Sequence, residues 1–593
     1  MEYSVAPSDG ATNARQYSAK VCFNTLWFGQ KAWTRSRTNG VIRFERTQDK
    51  QDGLHGEYSL PDPDIQDCRE EALAATSLRL LDPFQPLTMS LPQPSPSEFL
   101  KPSEVEAKTM QGASLMVLRT LVLYPVGFVG EVVLARLLAP EDFGVYALAS
   151  FVTVTIAAVL EVGLAASLIQ RPDEPRDEEY QTLFTLQILA ISALVVLTFI
   201  SSPWLFPWLG LDANIRWTML ALLLCPWISS FGTMSCVKLE RQLRYVVFAR
   251  MDVLRGLTYM GSAVALAFAG AKAWSFVVAI VLSTMVKTTI AFRQAPWPVR
   301  FRLKLIGMRQ ALHFGFMFQV STLTSLFRDH IGVVLGGPLF GVQSVGYLNW
   351  AKNTTYYTSQ IFTQVVSRVA FPSISRVQHD PIAVRQMAQT LLKYVNLFTF
   401  PVIALFAALI PEFVTVFYTN KWLPALPAFY FYSVRMIGSN ITTLYVSVLN
   451  AVGQVRKTLQ VLIWWTVADW VLAVVLCPTF GFTGIAMAYG LSVIPICVWL
   501  VLELNRVVRL DLSKSLFQPL GFSLVAAAAV WMVKGKFAPS WVSLVLLTTS
   551  GVAVFMLPLM LLEGNVLWNE GRIFLESVLK GRGSDEVRTS KYE

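Results

Sequence analysis

From Gln111 onward the chain is a succession of apolar runs separated by short polar or Gly- and Pro-containing interruptions. A helix needs about 20 apolar residues to cross roughly 30 Å of hydrocarbon, and these runs have that length. They predict spans near residues 112–137, 143–169, 180–203, 216–236, 252–271 and 274–293. A second group lies near 311–337, 343–370, 387–410, 425–450, 457–478 and 483–505, and a final pair near 517–534 and 541–562. The pattern is that of an all-α polytopic membrane protein with about 14 transmembrane helices.

One turn recurs within this pattern. Leu134–Leu148 reads LARLLAPEDFGVYAL, and Leu335–Trp350 reads LGGPLFGVQSVGYLNW. In each, an apolar run ends at a Gly or Pro break and a Gly-Tyr or Gly-Val-Tyr step opens the next run. A turn repeated at such a distance suggests two structural halves, an arrangement common in membrane transporters. The predicted organisation is a first lobe over 109–293, a linker over 294–310 and a second lobe over 311–506. Two further helices follow over 507–562, and a tail over 563–593.

Residues 1–108 contain no run long enough to cross a bilayer and no charged-then-apolar leader. They end in a Pro/Ser-rich stretch, Leu91–Ser103, and are expected to form a polar, disordered extension. Met89 and Met110 each stand where translation could begin. The pair Asp62 and Asp64 around Pro63 reads as a solvated turn rather than a metal site.

Composition sharpens this picture. Only 15% of residues are charged and 54% are hydrophobic, whereas soluble proteins carry about 25% charged residues. The net charge of +10 fits basic loops against anionic headgroups, and few basic residues fall in one soluble block of the kind nucleic acid would need. Cys22, Cys68, Cys225, Cys236, Cys477 and Cys497 show no paired spacing, and four lie in apolar runs, so they read as packing residues; no cofactor or metal is expected.

Orientation follows from the loops. One side carries Arg171, Arg176, Lys238, Arg241, Arg244, Arg250, Arg300, Arg302, Arg376, Arg456, Arg506 and others; the opposite side carries Arg136, Arg216, Lys272, Lys421, Lys534 and Lys536. The bias, roughly three to one, places the first set and both termini in the cytoplasm. The Leu134–Leu148 turn then faces outward. The linker Arg293–Gln310, RQAPWPVRFRLKLIGMRQ, alternates Trp297, Phe301, Leu303 and Leu305 with Arg300, Arg302 and Lys304, which suits a segment lying on headgroups.

The phrases RLLAPEDFGVYAL, GLAASLIQR (Gly163–Arg171), LERQLRY (Leu239–Tyr245) and SRVAFPSISRVQHDP (Ser367–Pro381) resemble the polysaccharide transporter family. So do VLNAVGQVRKTL (Val448–Leu459) and FGFTGIAMAYG (Phe480–Gly490). The family includes the O-antigen and exopolysaccharide flippases of the multidrug/oligosaccharidyl-lipid/polysaccharide exporter superfamily. The resemblance covers about residues 110–510. It implies two pseudo-symmetric six-helix lobes around a central cavity, alternating access in the bacterial cytoplasmic membrane, and a polyprenyl-pyrophosphate-linked oligosaccharide as cargo, moved to the outer leaflet. It also implies polysaccharide polymerases and glycosyltransferases as working partners.

A protein that passes an anionic headgroup through hydrocarbon needs polar helix faces turned inward and fixed cations for phosphate. Intramembrane charge costs at least about 2–3 kcal/mol per residue, so each such residue needs a reason. In the seventh span Ser321, Thr324, Ser325 and Arg328 share one helical face, followed by Asp329 and His330; Arg328 is a candidate pyrophosphate ligand through its forked donors. The alternatives are pairing with an acid of the bundle or snorkelling to the outer interface. In the eighth span Asn349, Lys352, Asn353, Tyr356, Ser359, Gln360 and Thr363 form a broad polar face suited to sugar hydroxyls and phosphate, or to bonds between helices. Arg119 and Arg435 are further candidate cavity cations. Glu131, Glu161, Asp329 and Asp469 are candidates for a coupling proton or sodium ion, with Asp469 favoured, while Asp252 is expected to pair with Arg255.

Other classes fit less well. A multispan polymerase or glycosyltransferase would carry a substantial extracytoplasmic loop with catalytic acids, and the outward loops here are short. A cation-coupled multidrug exporter or a peptidoglycan-precursor flippase of the same superfamily is the closer alternative.

Overall fold

A computed structural model describes residues 33–38, 41–46, 102–170, 175–208, 213–303, 323–506 and 510–580. Most of the extension read above as disordered lies outside these. Within it one antiparallel hairpin is described, β1 Trp33–Thr38 with β2 Val41–Arg46, paired from Trp33↔Arg46 to Thr38↔Val41. The intervening sequence is Asn39-Gly40, the pair that most favours a two-residue hairpin loop. It is a local β signal that the membrane-helix reading passed over.

The remainder is helical. The first half contains α1 Pro102–Leu137, α2 Pro140–Gln170, α3 Asp177–Trp208, α4 Ala213–Leu222, α5 Leu224–Arg241, α6 Tyr245–Phe268 and α7 Trp274–Gln294. The second contains α8 Ile331–Val334, α9 Gly336–Arg376, α10 Pro381–Phe413, α11 Leu426–Ala451, α12 Val455–Phe480 and α13 Thr483–Asn505, followed by α14 Gln518–Lys534 and α15 Trp541–Lys580. Most predicted spans overlap an observed helix, and at 483–505 the two share both ends, whereas α1 begins ten residues before its predicted span and α15 runs on to Lys580. The fourth span is two helices, α4 and α5, meeting at Leu223. The first part of the seventh span lies outside the described residues; its end is helical over 323–329 and again in α8, with a turn at His330. Among the described residues ten helical stretches are long and apolar enough to cross a membrane.

Local chemistry explains several boundaries. Pro140 occupies the first turn of α2, where its missing N–H is no loss, and Asp142 Oδ2 accepts a hydrogen bond from the Ala139 N–H at 2.9 Å. Asp380 caps α10, accepting from the Ile382 and Ala383 N–H groups at 2.9 and 3.2 Å, with Pro381 behind it. The echo of the first turn uses a different device. Gly341 breaks α9 with φ +78°, a conformation that favours glycine.

The two turns pack against each other. A Cβ on Gly144 would overlap the Val342 carbonyl oxygen, and a Cβ on Gly346 would overlap that of Pro140. Only bare Cα positions allow α2 and α9 this close. An aromatic cluster surrounds the crossing: Phe143 edges onto Phe276 and Trp422, both at 5.0 Å, and Trp350 stacks on Trp422 at 5.2 Å.

Lys421 and Trp422 tie this region to the end of α1. Lys421 Nζ donates to the Arg136 and Leu138 carbonyls at 2.9 and 2.7 Å, and Trp422 Nε1 to the Ala135 carbonyl at 2.8 Å. These carbonyls have no partner within their own helix, so side chains from the second half complete the first. Burial pushes the Lys421 ammonium below the usual lysine range, against the opposing charge of Asp142. Residues 295–303 dock onto the first half rather than lying wholly on lipid. Trp297 is buried against Phe184, the Gln181 side chain donates to the Pro298 carbonyl, and Arg302 pairs with Glu178 at 2.8 Å. Phe301 and Leu303 stay exposed. Beyond these, α14 and α15 pack on α10 through Leu405, Leu409, Ala526, Val530 and Phe555.

Candidate functional site

The sharpest collection of charge inside the helical region is at the break in the seventh span. Helix 323–329 ends at Arg328-Asp329, and its last carbonyls are taken by side chains rather than by further helix. Lys352 Nζ on α9 donates to the Asp329 carbonyl at 2.7 Å, and the Tyr489 hydroxyl on α13 donates to the Arg328 carbonyl. Interrupted helices of this kind occur where backbone lines a cavity. His330, at the turn, packs 5.1 Å from Phe151.

Arg328 pairs with its neighbour Asp329 at 3.0 Å and stands 5.4 Å from the Trp465 ring. Arg435 lies 4.3 Å from the same ring and 5.0 Å from the Tyr489 ring. Both guanidinium groups thus share one aromatic neighbour, whose ring attracts each of them. Arg435 is buried and pairs with Asp469 through both carboxylate oxygens at 3.1 and 3.2 Å. Ser492 donates to the same carboxylate. The i, i+4 spacing of Trp465 and Asp469 puts both on one face of α12, and that of Arg435 and Ser439 does the same on α11.

These groups border a cavity of about 650 Å³ lined by Arg328, Asp329, His330, Lys352, Tyr356, Arg435, Ser439 and Thr442, with Trp465 and Tyr489. Arg328, Lys352 and Arg435 set against Asp329 and Asp469 leave the locality positive. Beside it runs an apolar groove of about 1120 Å³, between Tyr124 and Phe128 of α1, Tyr357 of α9, Phe398 and Leu405 of α10, and Trp541 and Val552 of α15. Tyr356 and Tyr357 are neighbours on α9, one at the polar cavity and one at the groove, and Tyr124 and Tyr356 bond through their hydroxyls.

Of the residues singled out from the sequence, the structure gathers Arg328, Asp329, His330, Lys352, Tyr356 and Arg435 in one place. Asn349 and Asn353 turn elsewhere; Asn353 lies beside Glu131, across the interface with α1. Arg119 does not join the cavity, because it forms an ion pair with Asp252. That pair also corrects the expectation that Asp252 bonds Arg255: a residue from another helix reaches the carboxylate first. Asp469, the favoured coupling acid, is taken up by Arg435 and Ser492. Ser321 and the side chains of Glu161, Ser359, Gln360 and Thr363 lie outside the described part. The sequence reading did not name Tyr432 or Tyr489 for the site. The signal for Tyr489 was its place in the Phe480–Gly490 phrase.

Comparison with known proteins agrees with this architecture. A family model described as polysaccharide biosynthesis protein matches residues 133–427. An uncharacterized membrane protein in the cps region of Klebsiella pneumoniae is 23% identical over 54% of this chain and 67% of its own length. The teichuronic acid biosynthesis protein TuaB of Bacillus subtilis is 24% identical over 46% of this chain and 57% of its own. Among solved structures, lipid II flippase MurJ in an inward closed conformation superposes with a TM-score of 0.65 at 14% identity, over 76% of this chain and 99% of that one. This likeness is one of fold.

Proposed function

Because the chain belongs to the polysaccharide transporter family, we propose that it flips a polyprenyl-pyrophosphate-linked oligosaccharide across the bacterial cytoplasmic membrane. It is a multi-pass membrane protein acting in polysaccharide biosynthesis, a transporter rather than an enzyme. The observation that carries the finer reading is the pairing of two unlike compartments. A cavity with Arg328, Lys352 and Arg435 on its walls adjoins a long groove whose lining is almost entirely apolar.

A polyprenyl pyrophosphate has the same two parts. Its phosphates need charge-assisted donors, which Arg328 supplies as a planar fork and Lys352 as a point charge. Its sugars need hydroxyl and aromatic partners, which Ser439, Thr442, Thr443 and Tyr356 provide. Its isoprenoid chain already lies in hydrocarbon, and the groove against α15 offers a lining as apolar as lipid in which the chain can stay while the headgroup moves. Alternating access follows if the α2–α9 contact parts as the opposite end closes. A proton or sodium gradient drives the cycle, and both termini face the cytoplasm, where glycosyltransferases assemble the cargo; a polymerase receives it outside.

The test is a deletion strain without a second flippase. Lipid-linked oligosaccharide should accumulate on the cytoplasmic leaflet, inaccessible to an external glycosidase in intact spheroplasts. Normal outer-leaflet delivery would reject the proposal.

A further inference from the structure

Glu131 lies in the last two turns of α1, where only 7% of its surface is exposed. Its neighbours explain the access of partners to it. Gly127, one turn earlier, has no side chain, and the Tyr357 hydroxyl lies 3.2 Å from where a Cβ would stand. Gly130 in turn lets Met260 of α6 press onto the helix. Tyr357 and Asn353 of α9 are the hydrogen-bonding neighbours of the carboxyl. Tyr259 of α6 and Tyr418, beyond the end of α10, also face it, and Tyr146 of α2 lies next to Tyr259 and Tyr357.

None of these groups is a cation. The other acids singled out from the sequence whose side chains are described each have an arginine partner: Asp252 has Arg119, Asp329 has Arg328 and Asp469 has Arg435. Glu131 differs from them, and its Oε1 has no hydrogen-bond partner. An ionised carboxylate in so dry a place costs several kcal/mol unless it is paired, and the simplest remedy is a proton.

We propose that Glu131 is a proton-binding site at the seam between the two halves, and that its charge decides whether α1 and α9 stay joined there. With the proton on, the carboxylic acid stays buried among hydroxyl and amide groups, and the seam is dry. With the proton off, the carboxylate needs water or more donors than Tyr357 and Asn353 supply, so the deprotonated form favours separation of the helices. Proton loss and binding would thereby bias the two arrangements of the halves in opposite directions. The inference rests on the transporter reading but not on the identity of the cargo.

The experiment uses the full chain in lipid nanodiscs, with native cysteines replaced and spin labels at Gln242→Cys and Arg456→Cys. These exposed positions lie in the two halves, at the end opposite the α1–α2 turn. In the parent protein the distance distribution should shift between mildly acidic and mildly alkaline buffer, with no cargo present. Glu131→Gln should hold the acid-side distribution throughout, while Glu131→Asp should shift again. A parent distribution indifferent to pH, or a Glu131→Gln distribution that follows the parent's, would overturn the proposal. So would a parent distribution that responds to sodium chloride against choline chloride at fixed pH, since the ion would then be sodium. Infrared difference spectra add a check that needs no second conformation: a protonated-carboxyl band that appears on acidification and is absent from Glu131→Gln. Because the assays contain no lipid-linked sugar, a mistaken cargo would leave them unchanged.

Discussion

Gly144 and Gly346 are equivalent partners: each lies on the carbonyl oxygen of the residue four positions before the other, Gly144 on Val342 and Gly346 on Pro140. The contact has the reciprocity of a two-fold axis. It shows that the repeated turns are halves of one junction as well as marks of two halves. It also lies at the end of the bundle from which, in the proposed cycle, cargo departs.

A methyl group at either glycine should therefore have the same effect. Overpacking typically costs about 1–3 kcal/mol, here met by separating α2 from α9. Gly144→Ala and Gly346→Ala should each lower the thermal midpoint in detergent. Each should also expose a cysteine placed at Leu348, which is 2% exposed, to an external thiol reagent that leaves it unlabelled in the parent protein.

Arg435 and Asp469 should show strong mutual dependence. Breaking a buried pair by removing one partner costs about 3–5 kcal/mol, because the other charge is left alone. Arg435→Met and Asp469→Leu should each destabilise markedly, and the double variant should recover much of the loss. A thermal-unfolding double-mutant cycle measures the coupling.

Arg328 has a solvent-facing cavity wall and an exposed partner in Asp329, so its loss should spare the fold. A hydrogen bond to a charged group is worth about 1.5–3 kcal/mol. Arg328→Ala should lower export at least tenfold at normal protein level, and Arg328→Lys should restore part of it. Surface polysaccharide, quantified against membrane-fraction protein, is the readout.

Trp297 and Phe301 are four residues apart with opposite duties. Trp297 is 4% exposed and Phe301 is 71% exposed. Trp297→Ala should cost about 3–5 kcal/mol of stability, as for other large-to-small core changes. Phe301→Ala should leave the thermal midpoint unchanged.

The orientation is open to direct labelling. Leu339 and Ser513 are both exposed. A cysteine at Leu339 should react with an impermeant reagent added outside intact cells, and one at Ser513 only after the membrane is opened. The reverse pattern would invert the basic-loop assignment.

The helices were legible because each is a local quantity: a run of apolar residues long enough for the bilayer, ended by Pro, Gly or an acidic cap. Asp380-Pro381 and Pro140 through Asp142 are caps that can be read without neighbours. The recurrence of the turn was legible for the same reason. Intramembrane charge also stands out in sequence, since each such residue is costly, and this brought Arg328, Lys352 and Arg435 forward.

Which charges meet is a different kind of fact. Asp252 had Arg255 one turn away, yet Arg119 from a distant helix takes its carboxylate; Asp469 looked unattached until α11 brought Arg435 beside it. Glu131 resembled the other acids in sequence and is distinguished only by having no cation among its described neighbours. Sequence alone determined which runs form helices and which residues carry unusual cost. Only the tertiary structure decided how that cost is met, because pairing energy depends on distances across helices, and no periodicity along one helix specifies them.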